Sequence, residues 1–231
     1  MFRYGRIALA AKKSAKYKAV LFDLDGTLLD TLDDLADSMN ASLKRMGYPA
    51  HSKARYKIFV GEGGEMLARR ALPTESRSTE TVATCVKHMR AIYAEKMFTK
   101  TKPYAGVPDL LEELQRRGIL LAVLSNKPDE PTRQLTCKFF PKCDFACIMG
   151  SRPEIPRKPV PVGAATIAGF LGVAPEKFMY LGDTCTDMKT ASGAGMYPVG
   201  ALWGFRGAEE LSDNGARTLI ETPLDLLNLL K

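Results

Sequence analysis

Apolar residues follow two rhythms along this chain. Short continuous runs occur at residues 19–24, 119–124, 145–149, 178–181 and 196–201, the first reading Ala-Val-Leu-Phe-Asp-Leu. Runs of this length, bounded by turn residues, are the pattern of strands buried on both faces. Between them lie segments with helical spacing: 108–117, 131–140, 162–171 and a shorter one at 186–192. Pro108 opens the first of these and Gly118 follows it, while Gly172 follows the third. Proline at the start and glycine past the end is the expected asymmetry of a helix. Strands alternating with helices predict an α/β fold, a Rossmann-like parallel sheet with helices on both faces.

One stretch breaks the alternation. Leu32, Leu35, Met39, Leu43 and Met46 recur at steps of three and four, which gives one apolar helix face. Thr31, with Asp34 three residues on, reads as its N-cap, and Gly47 as its stop. Residues 79–98 read as another long helix. Strand signals are nearly absent from 31 to 102, so this segment is expected to be an all-helical insertion. The α/β core would then comprise 19–30 and 103–231. The apolar stripes themselves are core packing; their placement directly after the first strand is the informative feature.

Composition narrows the class without deciding it. Hydrophobic residues make up 45% and charged residues 26% of 231 residues, an ordinary globular balance. No apolar run reaches the roughly 20 residues needed to span a bilayer, so no membrane partner is expected. The net charge of +7 suggests a polyanionic partner until its distribution is considered. Arg3, Arg6, Lys12, Lys13, Lys16 and Lys18 precede the first acid, Asp23, and account for six of the seven charges. The rest of the chain is within one unit of neutrality. Residues 1–18 therefore read as a basic, disordered N-terminal extension, and nucleic acid is not an expected partner. The extension's apolar stretch, 7–11, is shorter than the core of a secretory signal. Five cysteines with no CxxC pair, and only His51 and His88 as histidines, argue against a disulfide framework or a zinc site. They fit a reducing, cytoplasmic setting.

Four polar constellations sit at the ends of the expected strands: Asp23-Leu24-Asp25-Gly26-Thr27, Ser125-Asn126, Lys158-Pro159 and Gly182-Asp183-Thr184-Cys185-Thr186-Asp187. The C-terminal ends of parallel strands are where ligands bind in open α/β sheets. Carboxylates gathered there repel one another unless a cation lies among them, and an oxygen-only donor set suits Mg²⁺. A lysine and a serine hydroxyl beside loop N–H groups suit a phosphoryl group. Together they describe phosphoryl transfer to an aspartate. Asp23 and Asp25, two apart where the chain turns at Gly26, can divide nucleophilic attack and proton handling between them.

In this order and combination the motifs DLDGT, SN, KP and GDTCTD resemble the haloacid dehalogenase superfamily over roughly residues 18–231. The resemblance implies that Asp23 is the nucleophile and that Asp25 protonates the leaving group and then activates water. It implies that Asp23, the Asp25 backbone carbonyl, Asp183 and Asp187 form the Mg²⁺ site. Ser125 and Lys158 would bind the phosphoryl group, with Asn126 and Gly26 contributing mainly backbone N–H groups. The second aspartate, Asp25, separates phosphatases and mutases from the family's dehalogenases, which lack it, and from P-type ATPases, which carry lysine there.

The insertion resembles the helical cap of this superfamily. Its loop Val60-Gly61-Glu62-Gly63-Gly64-Glu65 and the pair Trp203-Gly204 resemble those of phosphoglycolate phosphatases. The expected activity is hydrolysis of a small phosphorylated metabolite, by a monomer or homodimer. The alternatives are a phosphomutase of the β-phosphoglucomutase type, or a pyrophosphatase or nucleotide phosphatase on the same scaffold. Glu62, Glu65, Arg69 and Arg70 read as solvated helix positions. Arg152 and Arg157 read as candidates for steering an anion, and Cys185 as a small space-filler inside the metal loop.

Overall fold

The structure, a computed structural model, describes residues 16–230. The first strand, β1 (Ala19–Phe22), is wholly buried. A tight turn leads to the two-residue β2 (Leu29–Asp30), and four helices follow: α1 (Leu32–Arg45), α2 (Lys53–Phe59), α3 (Gly63–Ala71) and α4 (Thr79–Lys96). The chain returns through β3 (Lys102–Pro103), which pairs antiparallel with β2. Entry to and exit from the helical insertion therefore lie side by side. Asp34 reinforces that junction, accepting hydrogen bonds from the N–H groups of Lys100 and Thr101 and from the Thr101 hydroxyl at 2.8 Å.

After β3 the helix-strand alternation resumes with α5 (Val107–Arg116), β4 (Leu120–Pro128), α6 (Asp129–Phe139), β5 (Phe145–Ser151) and α7 (Val162–Leu171). It continues with β6 (Phe178–Gly182), α8 (Cys185–Gly193), β7 (Tyr197–Ala201), α9 (Ala208–Asp213) and β8 (Thr218–Ile220). Six strands form one parallel sheet in the order β5-β4-β1-β6-β7-β8. The order reverses at β1, whose neighbours are β4 on one side and β6 on the other. The crevice beyond the C-terminal ends of these three strands is the topological switch point.

Strand alternation sorts the core into two layers. Val20 and Phe22, Leu121 and Val123, and Met179 and Leu181 face one way, into the layer that also holds Leu110 and Leu114 of α5. Ala19 and Leu21, Ala122 and Leu124, and Phe178 and Tyr180 face the other, against Ala164 and Ile167 of α7. Each fully buried large apolar side chain contributes about 1.5–3 kcal/mol. The central strands are thereby the rigid part of the molecule, and the loops at their ends inherit fixed positions. No helix among the described residues is long and apolar enough to cross a membrane.

Two local expectations change. Thr31 occupies the N-cap position of α1, but its side chain makes no capping bond and its hydroxyl is buried without a partner. Asp34, expected to help that cap, is turned instead to the returning chain. Tyr17, assigned with its neighbours to the basic extension, is buried and lies with its ring 5.6 Å from that of Tyr197, while Lys18 N–H donates to the Lys177 carbonyl. The remainder of the extension, 1–15, lies outside the described residues.

Candidate active site

Asp23 follows β1 directly, and its N–H donates to the Leu181 carbonyl, which extends the strand pairing by one residue. Its carboxylate is buried at the switch point. Lys158, arriving on the loop between β5 and α7, places its ammonium 2.7 Å from Asp23 Oδ1 and 2.6 Å from Asp187 Oδ1. Carboxylate oxygens of Asp23, Asp183 and Asp187 all lie within 4.8 Å of one another. The four charged side chains come from loops after β1, β5 and β6 and from the first turn of α8.

Asp183 and Asp187 are fixed from behind. Thr27 Oγ1 donates to Asp183 Oδ1 at 2.9 Å, and the Phe205 N–H donates to Asp183 Oδ2 at 2.8 Å. Asp187 Oδ2 accepts from the Thr184 N–H at 3.0 Å and from the Thr184 hydroxyl at 2.6 Å, closing the start of α8. An acid in the first helical turn also meets the favourable end of the helix dipole.

Gly26 and Gly204 make the packing possible. Gly26 has φ +88°, and a Cβ there would lie 2.3 Å from Asp183 Oδ2. A Cβ on Gly204 would lie 2.3 Å from that of Asp183. The neighbouring Trp203 indole donates to the Thr27 carbonyl at 3.0 Å, so the Trp-Gly pair braces the loop after β1 against the loop after β7.

Electrostatics within the cluster oppose one another. Burial, then the nearby Asp187, push the Asp23 carboxyl up to about 7, and Lys158 pulls against them. Burial, then Asp23 and Asp187, raise Asp183 well above the usual carboxylate range. For Lys158, burial works against the charge, but Asp187 and Asp23 overcome it and the ammonium is held firmly protonated. Three buried carboxyls facing one ammonium cannot all ionise without a further cation. An oxygen-only donor set of this kind fits a hard divalent cation.

Ser125 and Asn126 stand at the end of β4. Ser125 Oγ accepts from the Lys127 N–H at 3.2 Å, which leaves the hydroxyl proton free to donate. The Asn126 side chain is a cross-link: its amide donates to the carbonyls of Gly61 and Lys158 at 3.1 Å each, and its oxygen accepts the Lys158 N–H. The expectation that Gly26 offers its N–H to a ligand is corrected, because that N–H donates to the Leu29 carbonyl at 2.9 Å to close the turn. Asp25 stands outside the three-carboxylate cluster. Lys127, unremarked in the sequence, places its buried ammonium 2.8 Å from Asp25 Oδ2 and 3.1 Å from the Tyr93 hydroxyl of α4.

Asp23, Asp25, Ser125, Asn126 and Lys127 form the floor of a cleft of about 480 Å³ between the sheet and the insertion. Gly61, Gly63 and Gly64 of the glycine-rich loop, with Leu67 and Met89, line its insertion side. Arg206, reaching from the loop after β7, donates to the Val60 carbonyl at 3.0 Å and to that of Lys57. The four surface positions on the insertion are internally satisfied: Glu62 pairs with Arg70, and Glu65 with Arg69. Arg152 is bound to Asp129 at 2.9 Å and Arg157 to the Ser151 hydroxyl at 2.9 Å. Arg90 lines the cleft, is exposed and pairs with no acid among the described residues. Burial, with Glu210 alongside, pushes the Cys185 thiol up, which disfavours the reactive thiolate.

Comparison with known proteins agrees with this geometry. The family model described as haloacid dehalogenase-like hydrolase matches residues 20–201. A phosphoglycolate phosphatase of Aquifex aeolicus is 32% identical over 213 residues, covering 92% of this chain and 96% of that protein. One from Mannheimia succiniciproducens is 28% identical over 223 residues, covering 94% and 100%. Among solved structures, a provisionally described phosphoglycolate phosphatase from Lactobacillus delbrueckii subsp. bulgaricus superposes with a TM-score of 0.87 at 30% identity, covering 93% of this chain and 98% of that one. Motif order, site geometry and near full-length similarity converge: the chain belongs to the haloacid dehalogenase-like hydrolase family.

Proposed function

We propose that the protein is a Mg²⁺-dependent phosphatase of small phosphorylated carboxylic acids, of the phosphoglycolate type, working through an aspartyl-phosphate on Asp23. The observation that carries this reading is the Asp23 carboxylate, buried at the switch point beside Lys158, Asp183 and Asp187 on the floor of the cleft.

Asp23, the Asp25 backbone carbonyl and Asp183 would hold the Mg²⁺, with Asp187 behind them. Bound there, the ion would neutralise charge on the phosphoryl oxygens and act as a Lewis acid. Lys158 favours the ionised nucleophile against the pull of burial, and it offers positive charge to the incoming phosphate. An Asp23 oxygen attacks phosphorus; the new O–P bond forms as the ester P–O bond breaks. Asp25 gives its proton to the departing alkoxide, and the Ser125 hydroxyl donates to a phosphoryl oxygen. Asp25, now ionised, takes a proton from water as that water attacks phosphorus. Inorganic phosphate leaves, and Asp23 and protonated Asp25 are restored.

The insertion acts as a cap that excludes bulk water and selects the substrate. Arg90, exposed and unpaired on the cleft wall, is the group suited to a substrate carboxylate. The similarity to phosphatases named for phosphoglycolate supports that choice. The test is a phosphate-release screen over phosphoglycolate, sugar phosphates, nucleotides and pyrophosphate, with and without Mg²⁺. Mg²⁺-dependent release from phosphoglycolate, with a raised KM in Arg90→Met, is the expected result. Activity confined to pyrophosphate rejects the substrate class.

A further inference from the structure

We propose that Lys127, steadied by Tyr93 of the helical insertion, is a positioning residue that fixes the Asp25 carboxylate for proton transfer to the leaving group. This rests on the phosphatase reading and goes beyond it, because it couples the proton donor to the insertion.

Each of the two aspartates after β1 has its own buried lysine. Lys158 serves Asp23, at 2.7 Å. Lys127 serves Asp25, at 2.8 Å to Oδ2, with a side chain only 4% exposed. A second bond runs from the Lys127 ammonium to the Tyr93 hydroxyl at 3.1 Å, and the ammonium lies 4.6 Å from the centroid of that ring. Tyr93 is itself buried in α4. The ammonium is therefore held between the sheet and the insertion, with fixed acceptors on both sides.

The consequence for Asp25 is asymmetric. Oδ2 is engaged, whereas Oδ1 is buried and has no hydrogen-bond partner among the described residues. An unpartnered buried carboxylate oxygen is rare in native structures and asks for a reason. Here Asp25 lines the cleft, and a carboxyl whose orientation is fixed through Oδ2 is what a proton-transfer group requires. Without Lys127 the side chain has no other polar contact among the described residues to hold its rotamer. Tyr93 extends the dependence to the insertion: if α4 withdraws, the lysine loses both a hydrogen-bond acceptor and an aromatic face.

A buried pair that only tied the insertion to the sheet would affect stability and not the chemistry. Leaving-group dependence separates the two roles. kcat/KM reports the steps up to formation of the aspartyl-phosphate, in which Asp25 acts only as an acid. An alkoxide must be protonated as it leaves, whereas para-nitrophenolate departs without help.

The experiment measures kcat/KM for phosphoglycolate and for para-nitrophenyl phosphate in wild type, Lys127→Met and Tyr93→Phe. For Lys127→Met the alkyl ester is expected to fall by about 10–100-fold, at most the lower end of what general acid catalysis contributes because the acid itself remains, and the aryl ester far less. Tyr93→Phe keeps the ring and the packing, and it is expected to show the same selectivity at smaller size. If Lys127→Met does not fold, Tyr93→Phe decides alone. Equal losses on both esters, or no loss on either, would overturn the positioning role while leaving the phosphatase reading intact. A wild type that hydrolyses neither ester would overturn that reading, and this one with it.

Discussion

Lys158 Nζ lies 2.7 Å from Asp23 Oδ1, across 135 residues of chain, with both side chains more than nine-tenths buried. The same ammonium meets Asp187 at 2.6 Å. Removing one partner of a buried pair leaves uncompensated charge, which typically destabilises by about 3–5 kcal/mol. Lys158→Met is therefore expected to lose that order of stability in urea denaturation and to be inactive even where it is folded. A variant as stable as wild type would show that the pair does not bind the β5–α7 loop to the sheet.

A cation binding among Asp23, Asp183 and Asp187 adds stability only to the folded chain. At about one hundred times the dissociation constant the gain is about 2.7 kcal/mol. Mg²⁺ is expected to raise the melting temperature by several degrees, and a chelator to reverse it. In Asp183→Asn the Mg²⁺ response should disappear. Thermal scans with and without the ion check both statements, and an undiminished response in the variant would remove Asp183 from the metal site.

Glycines separate crowding from helix propensity. A Cβ at Gly204 would sit 2.3 Å from the Asp183 Cβ, whereas one at Gly169 in α7 meets nothing within 4 Å. Gly204→Ala is expected to destabilise by about 2 kcal/mol or more and to weaken the Mg²⁺ response, since Asp183 must move. Gly169→Ala, in a helix interior, is expected to stabilise by up to about 1 kcal/mol. Comparison of the two by denaturant midpoint tests whether the crowding at Asp183 is real.

Much of this site is written locally in the chain. Asp23 and Asp183 are legible because each sits where an apolar run ends and the sheet brings such ends together, and Asp187 because it follows Asp183 at the start of the next helix. The helical insertion is legible from the stripe beginning at Leu32. Lys127 is not, because it lies beyond the expected strand 119–124, where a lysine reads as a loop residue; in the structure β4 runs on to Pro128 and buries it. Its partners, Asp25 and Tyr93, are far apart in sequence, and only the packing of α4 over β4 joins them. Thr31 holds the N-cap position, but its hydroxyl finds no partner there, while Asp34 turns to the returning chain. Gly26 makes the turn, and its N–H is taken locally by the Leu29 carbonyl. The two-residue β3 and the three-residue β8 are too short to show any alternation.

Acid sensitivity has an identifiable contributor outside the site. Burial alone would raise the Asp129 carboxyl, but hydrogen bonds from Arg133, the Gly150 N–H and Arg152 outweigh it and hold the group below its usual range. A carboxyl depressed in the folded state contributes stability above its unfolded pKa, and that contribution is lost as pH falls through the folded one. Because the ion pairs are partly exposed, the effect is discounted to about 1 kcal/mol. Asp129→Asn should be less stable than wild type at neutral pH, and the two should converge in acid. A difference that persists unchanged to the lowest pH would assign the effect to packing.

The central claim is that Asp23 carries the phosphoryl group. Wild-type protein mixed with Mg²⁺ and phosphoglycolate, quenched in acid during turnover and digested, should yield a phosphorylated peptide containing Asp23, and Asp23→Asn should yield none and release no phosphate. Turnover by a folded Asp23→Asn, or a phosphoryl group found on any other residue, would contradict the account.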